Sequence, residues 1–315
     1  MAAYVLRRLG TSVVVLIGIS IVIFLMLHVI YPLPGQDVLG VWAHPGQVAA
    51  WNREHGFTAA VTAQYWHYAD GLLHGNLGYS FKLNQSVAAL FEQRWARSLY
   101  LSGTSLLLAI LIAIPLGIYQ AVRRNSISDH VVTGVALAIY GVPDFLLYVI
   151  AIQLLAFTFP VFDYQASQSS SLLTVMGDGR GMTLPIACFT LLITAGLCRY
   201  MRSAAVEILV QDYIKVAWAK GLPERLVLSR HLLRNACLPM ITLIGLSIPA
   251  LLAGNLITET VFNYQGLGLL FYTSLSNVDY YVLLAYTLIG AVLTIAGNFV
   301  ADVALTVADP RIRLA

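Results

Sequence analysis

Charge is what this sequence has least of. Asp, Glu, Lys and Arg together make up 10% of the 315 residues, against about 25% in a soluble domain. Hydrophobic residues make up 59%. The two figures exclude a soluble core with a membrane tail and imply a chain that sits largely in lipid. Cysteine is scarce too: Cys188, Cys198 and Cys237 are the only three. Two fall in apolar spans and one at a span edge, without metal-type spacing, which argues against a disulfide framework or a zinc site. Lysine occurs only at Lys82, Lys215 and Lys220. None stands in a Gly-Lys-Ser/Thr string, so a Walker A phosphate loop is excluded. There is no His-Glu-x-x-His, Gly-x-Ser-x-Gly or Cys-x-x-Cys, and the seven His residues are scattered. No catalytic constellation and no resident cofactor is expected. The net charge of +3 is explained by topology and needs no nucleic acid.

What is present is a series of apolar runs. Six spans are legible, at 10–30, 98–122, 130–159, 183–203, 236–258 and 280–308. The first follows Arg7 and Arg8 like a signal peptide, but its run of about 21 residues suffices to cross a bilayer. No small-residue cleavage site follows it, so it reads as a retained helix. Pro115, Gly117, Pro143, Gly196, Pro249 and Gly254 lie inside or at the ends of spans, as packing kinks or as breaks lining a cavity. With the N-terminus in the cytoplasm, thirteen Arg and Lys fall inside: Arg7, Arg8, Arg123, Arg124, seven between 199 and 234, Arg311 and Arg313. Five fall outside: Arg53, Lys82, Arg94, Arg97 and Arg180. The bias places both termini in the cytoplasm. The chain divides into a tail and first helix (1–30), an extracytoplasmic segment (31–97) and a five-helix core (98–315). The outer segment holds four of the five Trp (Trp42, Trp51, Trp66, Trp95) and is expected to form short helices, with the indoles in an interfacial belt. The Ser/Gly-rich stretch 160–182 reads as a mobile outer loop.

The stretch from Arg199 to Pro239 is the long polar segment between two apolar spans. It holds Arg199, Arg202, Lys215, Lys220, Arg225, Arg230 and Arg234. From Ala204 to Lys220, apolar residues recur at three- and four-residue steps, which predicts a helix. Gly221 suits a left-handed residue that stops it. Pro223 opens a second helix at its first turn, with Glu224 at the positive end. That helix runs to Asn235, and Leu238-Pro239 leads into the fifth span. Gly221-Leu222-Pro223 thus forms a fixed elbow within the cytoplasmic loop 204–235. A loop obeying the positive-inside rule would carry such charge, but has no need of the elbow.

The string DYIKVAWAKGLPERLVLSRHLLRNACLP resembles the cytoplasmic loop of permease subunits of bacterial ABC importers, in the form found in dipeptide, oligopeptide and nickel systems. The matched residues are Asp212, Tyr213, Ala217, Ala219, Lys220, Gly221, His231, Asn235, Ala236 and Pro239. The resemblance continues in YVLRRLGTSVVVLIGISIVIF at the start, HGNLGYS at 74–80, GVPDF at 141–145, ETVFNYQGLG at 259–268 and DPRIR at 309–313. The chain departs from the family pattern at Asn76, Gln265 and Trp218, and Lys215-Val216-Ala217 stands where a strict Glu-Ala-Ala is found elsewhere. The resemblance implies an all-α, six-helix type I importer permease fold in the bacterial inner membrane. It implies a coupling set of Asp212, Tyr213, Ala217, Ala219, Lys220, Gly221, Leu222, Pro223, Glu224, His231 and Asn235. The implied partners are a second homologous permease, two ATP-binding cassette subunits that carry ATP and magnesium, an extracytoplasmic substrate-binding protein and membrane lipid. Small peptides are the implied cargo, nickel or a metal chelate the alternative, and a stand-alone channel the reading from another class.

Pathway residues are read at two places. Asp144 follows Pro143 about 14 residues into the third span, roughly 20 Å deep at ~1.5 Å per residue. An acid there either faces the pathway or is satisfied by a neighbouring helix or the outer interface. Glu259, with Gly266 and Gly268, stands at the outer end of span five, either as part of an outer gate or as a loop carboxylate. Asn298 and Asp302 read as interhelical hydrogen-bonding groups, and Asp309, Arg311 and Arg313 as an interfacial tail.

Overall fold

The computed structural model describes residues 2–40 and 42–308, without the side chains of 2–6, 9, 248–250, 252 and 301–308. The Asp302 side chain and residues Asp309, Arg311 and Arg313 lie outside the described part.

A long apolar helix, α1 (Ala2–Ile30), opens the chain. Three short helices follow: α2 (Gly35–Leu39), α3 (Pro45–Glu54) and α4 (Val61–Leu73). His44 caps α3 in a reciprocal box with Gln47, and Pro45 takes the first helical position. A two-residue antiparallel ladder, β1 (Tyr79–Ser80) with β2 (Gln85–Ser86), turns the chain into α5 (Val87–Val122). The segment therefore forms short helices, as its composition implied. Its indoles divide: Trp42, Trp66 and Trp95 are exposed, whereas Trp51 stacks on His55 and Phe57.

Helix α5 starts at Val87, eleven residues before the expected 98. The Ser86 hydroxyl caps it by accepting from Ala89 N–H at 3.3 Å. Val87, Leu90 and Phe91 then bury one face against Leu267, Leu270 and Val282. That tertiary face carries the helix beyond the apolar run.

The third span is not continuous. It is split into α6 (Ile127–Gly141) and α7 (Asp144–Ile152), which ends in a π-helical turn over 153–158. The two parts meet at 102°. Pro143 lacks an N–H and pushes Val142 out of the helical region (φ −89°, ψ 135°), so the break is at the expected proline but is far sharper than a kink.

The stretch 160–182 is tied down, not loose. Arg97 donates to the carbonyls of Ser169 and Ser170 at 2.6 and 2.7 Å. Ala166 N–H donates to Phe262 C=O at 2.8 Å. Within it lies α8 (Leu172–Gly177). Asp178 then caps α9 (Gly179–Leu209) by accepting from Gly181 N–H. That bond and a second from Ser167 hold the Asp178 carboxyl below the usual carboxylate range.

The chain continues through α10 (Asp212–Ala219), α11 (Glu224–Leu226) and a π-helical turn over 227–232 into α12 (Leu233–Ala253). After Gly254 come α13 (Leu256–Val261), α14 (Leu267–Asn277) and α15 (Tyr280–Ala308). Among the described residues, four stretches are long and apolar enough to cross a bilayer: Gly10–Ile30, Val87–Val122, Gly179–Leu209 and Tyr280–Val300. The bent pair α6–α7 makes up to five.

Helix α5 packs along α9, and α12 along α15. One core, at the ends of α5 and α9 that lead toward the elbow, is rich in small residues: Ala109, Ala113, Ala121, Ala205 and Ala236 are all buried there. Small side chains let membrane helices approach closely, where dispersion does the work that the hydrophobic effect does in water. A second core gathers Leu101, Tyr148, Met182, Phe262 and Tyr264. A third joins Phe24 and Leu27 of α1 to Phe57, Tyr68, Tyr280 and Leu284.

Among the described residues, one ion pair with a buried carboxylate and a half-buried guanidinium crosses this packing. Arg202 of α9 donates twice to Asp129 of α6, Nε to Oδ1 and one terminal nitrogen to Oδ2, both at 2.7 Å. Asn125 N–H and Gln120 Nε2 add further donors to Asp129. Gln120 in turn accepts from Cys198. Removing one partner of a buried pair leaves an uncompensated charge, which costs about 3–5 kcal/mol. Arg202→Ala should therefore lower stability by about 3 kcal/mol, read as a shift in denaturant midpoint of the detergent-solubilised protein. An unchanged midpoint would show that water already satisfies Asp129.

Candidate functional site

The polar segment folds into an elbow, and its geometry follows from a few residues. Helix α9 ends at Leu209. Gln211 is extended (φ −70°, ψ 146°) and Asp212 begins α10. The single helix expected over 204–220 is thus two pieces, and the amphipathic pattern runs through the joint. Asp212 sits at the positive end of α10 and accepts from Lys215 at 2.9 Å. That bond holds its carboxyl below the ordinary value.

Gly221 has φ +76°, the left-handed conformation expected of it. Around it the helix closes as a Schellman motif. Gly221 N–H donates to Trp218 C=O at 2.9 Å, and Leu222 N–H to Ala217 C=O at 3.3 Å. Leu222 then packs with Ile208 on a small core of Ile214, Ala217 and Val227, the last three all buried. Pro223 lies one residue earlier than expected, immediately before α11 (φ −63°, ψ 143°), and its carbonyl accepts from Leu226 and Val227 N–H. The second helix does not stop at Asn235. It passes through the π-helical turn directly into α12, with Pro239 inside that helix.

The matched residues therefore have structural roles that can be named. Tyr213 and Asn235 brace the two arms: Asn235 Nδ2 lies 3.2 Å from the Tyr213 hydroxyl and 2.8 Å from His231 C=O. Ala217 is buried where a larger side chain would push against Val227. Asp212, Lys215, Trp218, Ala219, Lys220, Gly221, Pro223, Glu224, Arg225 and Leu226 remain exposed. This face is mixed in charge, with Trp218 44% and Val216 50% exposed as apolar prominences. Besides Lys215, two of the seven basic residues have partners within the chain. Arg202 holds Asp129, and Arg199 lies 5.1 Å over the Tyr140 ring.

Asp144 is exposed in the first turn of α7, next to the break at Pro143. Among the described residues its side chain makes no hydrogen bond or ion pair. The alternative of an acid satisfied by a neighbouring helix of this chain is thus not realised. Asn298 likewise makes no side-chain hydrogen bond among the described residues.

Glu259 is a buried latch, and as such does not line an opening in this chain. Its side chain is fully buried. Oε1 accepts from Ser98 Oγ at 2.7 Å and Asn255 N–H at 3.2 Å. Oε2 accepts from Gly268 N–H at 2.7 Å and Leu269 N–H at 3.1 Å. Those two amides open α14, so the carboxylate sits on a helix N-terminus. Burial pushes its pKa up to about 7, while these four bonds pull toward the charged form. Gly266 and Gly268 are explained by the same contact. A Cβ at Gly266 would come within 2.3 Å of Glu259 Oε2 and 2.5 Å of Ser98 Oγ. One at Gly268 would meet the backbone of Asn255 and Leu256 at 2.8 Å. Ser98, which also accepts from Leu267 N–H at 2.7 Å, has no local sequence signal, since it lies 161 residues from Glu259.

Glu259→Gln replaces an acceptor by an NH2 that faces N–H donors. An unsatisfied buried donor costs about 1–3 kcal/mol, so the variant should melt earlier in a thermal shift assay. Equal melting would mean that one of the four donors is dispensable.

The comparisons bear on the whole chain. Residues 113–314 match the family described as binding-protein-dependent transport system inner membrane component. Residues 1–102 match the N-terminal family of the same transport system membrane components. The chain is 34% identical over 319 residues to the oligopeptide transport system permease protein AppB of Bacillus subtilis, covering 99% of each. It is 34% identical over 339 residues to the dipeptide transport system permease protein DppB of Escherichia coli K12, again covering 99% of each. It is 32% identical over 316 residues to the glutathione transport system permease protein GsiC of Salmonella choleraesuis, with 99% of each covered.

Proposed function

The chain belongs to the family of binding-protein-dependent transport system inner membrane components, and from that membership we propose that it is the permease subunit of an ATP-driven importer of short peptides. The observation that carries the cargo class is full-length similarity to permeases named for oligopeptide, dipeptide and glutathione transport. None of these names favours nickel. As an inner-membrane component with several bilayer-length helices, it is a multi-pass protein of that membrane.

The finer reading has six crossings, with α12 and the bent pair α6–α7 completing the four longest helices. Both termini face the cytoplasm. The segment from 31 to the start of α5, set by composition at 31–97, is outside; the core 98–315 carries the coupling loop 204–235. A second homologous permease completes the pathway, two ATP-binding cassette subunits supply ATP and magnesium, and a binding protein delivers cargo from outside. Asp144, beside the Pro143 break and unpaired among the described residues, is the residue best placed to meet a cationic group in the pathway.

In this reading the elbow is the coupling element. Its exposed face from Asp212 to Leu226 is seated in a cytoplasmic ATPase subunit. The Schellman closure, the Tyr213–Asn235 brace and the buried Ile214–Ala217–Val227 core make the elbow one rigid piece. Because the second arm continues into α12 without a joint, a displacement of the elbow becomes a rotation of α12 and of the α15 packed along it. A stand-alone channel has no use for such a device.

Two outcomes follow. Cells carrying the complete importer should accumulate labelled dipeptide in an ATP-dependent manner, and accumulation of nickel in its place would overturn the cargo assignment. In Gly221→Asp the Cβ meets no neighbour within 4 Å, but φ +76° strains any side chain there; Asp is among those that visit the left-handed region, and a melting curve of the variant separates local strain from unfolding. The substitution should leave the protein folded but reduce uptake by at least tenfold and release the co-purifying ATPase. Intact uptake by this variant would sink the coupling role.

A further inference from the structure

A cavity of about 880 Å³ lies apart from both the elbow and the Glu259 latch. Its walls come from α3, α4 and the β1 turn, closed by Phe24 of α1 and by Tyr280 and Tyr281 of α15. The volume falls within the range of ligand sites, about 300–1,000 Å³. Three features of its lining specify a chemistry.

The first is aromatic. Phe24, Phe57, Tyr68, Phe81, Tyr280 and Tyr281 all line it. They hold one another edge to face and stacked, with Phe24 to Tyr68 centroids at 6.0 Å and Phe57 to Tyr280 at 6.0 Å. The rings are therefore fixed before anything binds, and they offer both apolar area and π faces.

The second is charge. Glu54 and Asp70 line the cavity, and none of its lining residues is Lys or Arg.

The third is hydrogen-bond polarity. His55 Nδ1 is 2.9 Å from Trp51 C=O and His74 Nδ1 is 2.8 Å from Asp70 C=O. A carbonyl accepts only, so in the neutral rings Nδ1 carries the proton and Nε2 is left as an acceptor. Gln64 spends its NH2 on Phe57 C=O and Ala59 C=O at 3.1 and 2.8 Å, which leaves its oxygen to accept. At these three side chains the groups left over are acceptors, beside the Asn76 amide and tyrosine hydroxyls that keep donors.

We infer that this cavity binds a primary ammonium carried on an apolar body, the chemistry of a short peptide's free amino terminus beside a large side chain. An ammonium brings three donors and no acceptor, which complements a wall of carboxylates and imidazole acceptors. The aromatic rings accept the apolar part and the face of the cation. The same ammonium chemistry is found on a lysine of a docked protein, and a rigid aromatic lining favours the more compact amino-terminal form.

The test uses the full-length chain in lipid nanodiscs at pH 7, where an α-amino group is mostly charged and an imidazole mostly neutral, with calorimetric titration of phenylalanyl-alanine, its N-acetyl derivative and Nα-acetyl-lysine amide. Phenylalanyl-alanine should bind at least tenfold tighter than the N-acetyl form, equivalent to one charge-assisted contact of about 1.4 kcal/mol. Glu54→Gln with Asp70→Asn should remove that difference, and both sites are exposed, so the fold should not change. Ala63→Trp, on the exposed cavity wall, should abolish binding altogether. Equal affinity for the free and acetylated peptides, or unchanged binding by the Ala63→Trp variant, would overturn the proposal. Tighter binding of the lysine amide would overturn the peptide source. A chain that supports peptide uptake in cells yet fails these titrations would lose this site alone and keep its importer role.

Discussion

Two backbone hydrogen bonds, Gly221 N–H to Trp218 C=O and Leu222 N–H to Ala217 C=O, close the elbow. The rest of the cytoplasmic unit depends on them. They require a positive φ at residue 221, which glycine adopts without strain. They bring Leu222 back onto Ala217, and that return leaves room for only a small side chain there. They set the angle at which Pro223 starts the second arm. With the Tyr213–Asn235 brace, the result is a hinge-free corner at the root of a 21-residue helix. A corner of this kind transmits a push, whereas a flexible loop would absorb it. In the proposed importer this is the property that an ATPase would use.

The other end of the core is closed by a comparable economy of means. The α13–α14 turn is held to α5 through Ser98 and Glu259, a single carboxylate satisfied by four donors. Toward the elbow end of α9, the Asp129–Arg202 pair fixes α6 against α9. Polar groups buried among membrane helices must be satisfied within the protein, so each such contact determines a relative position of helices. The bend at Pro143 differs, because its acid is exposed. It leaves an acid, Asp144, without an ion-pair partner among the described residues, and in the proposed importer it is there that an additional subunit or a solute has something to meet.

How much of this was legible in the sequence depended on range. The Gly221 turn is a local event, and the Gly-Leu-Pro string shows it directly. The break at Pro143 was visible as a site but not as an angle of 102°, because the bend is set by what α6 and α7 pack against. The early start of α5 could not be read from hydropathy, since only one face of residues 87–97, through Val87, Leu90 and Phe91, is buried by α14 and α15 and the stretch is not an apolar run. The joint at Gln211 was hidden because the apolar period continues across it. Glu259 and its glycines could be picked out as a motif, but their meaning needed Ser98, far away in sequence. Arg202 was counted among the basic residues of a cytoplasmic loop, although its partner Asp129, 73 residues away, makes it part of the core. Sequence separation, more than residue type, marks the limit in each case.

The central claim is that the exposed face of the elbow is seated in an ATP-binding subunit. Its most direct test is a photo-cross-linking residue placed at Lys220, which is exposed, within the complete importer. The account predicts a covalent adduct to the ATP-binding subunit whose yield changes between nucleotide-free and ATP-trapped states. Absence of that adduct in both states, with the subunits still associated, would contradict it.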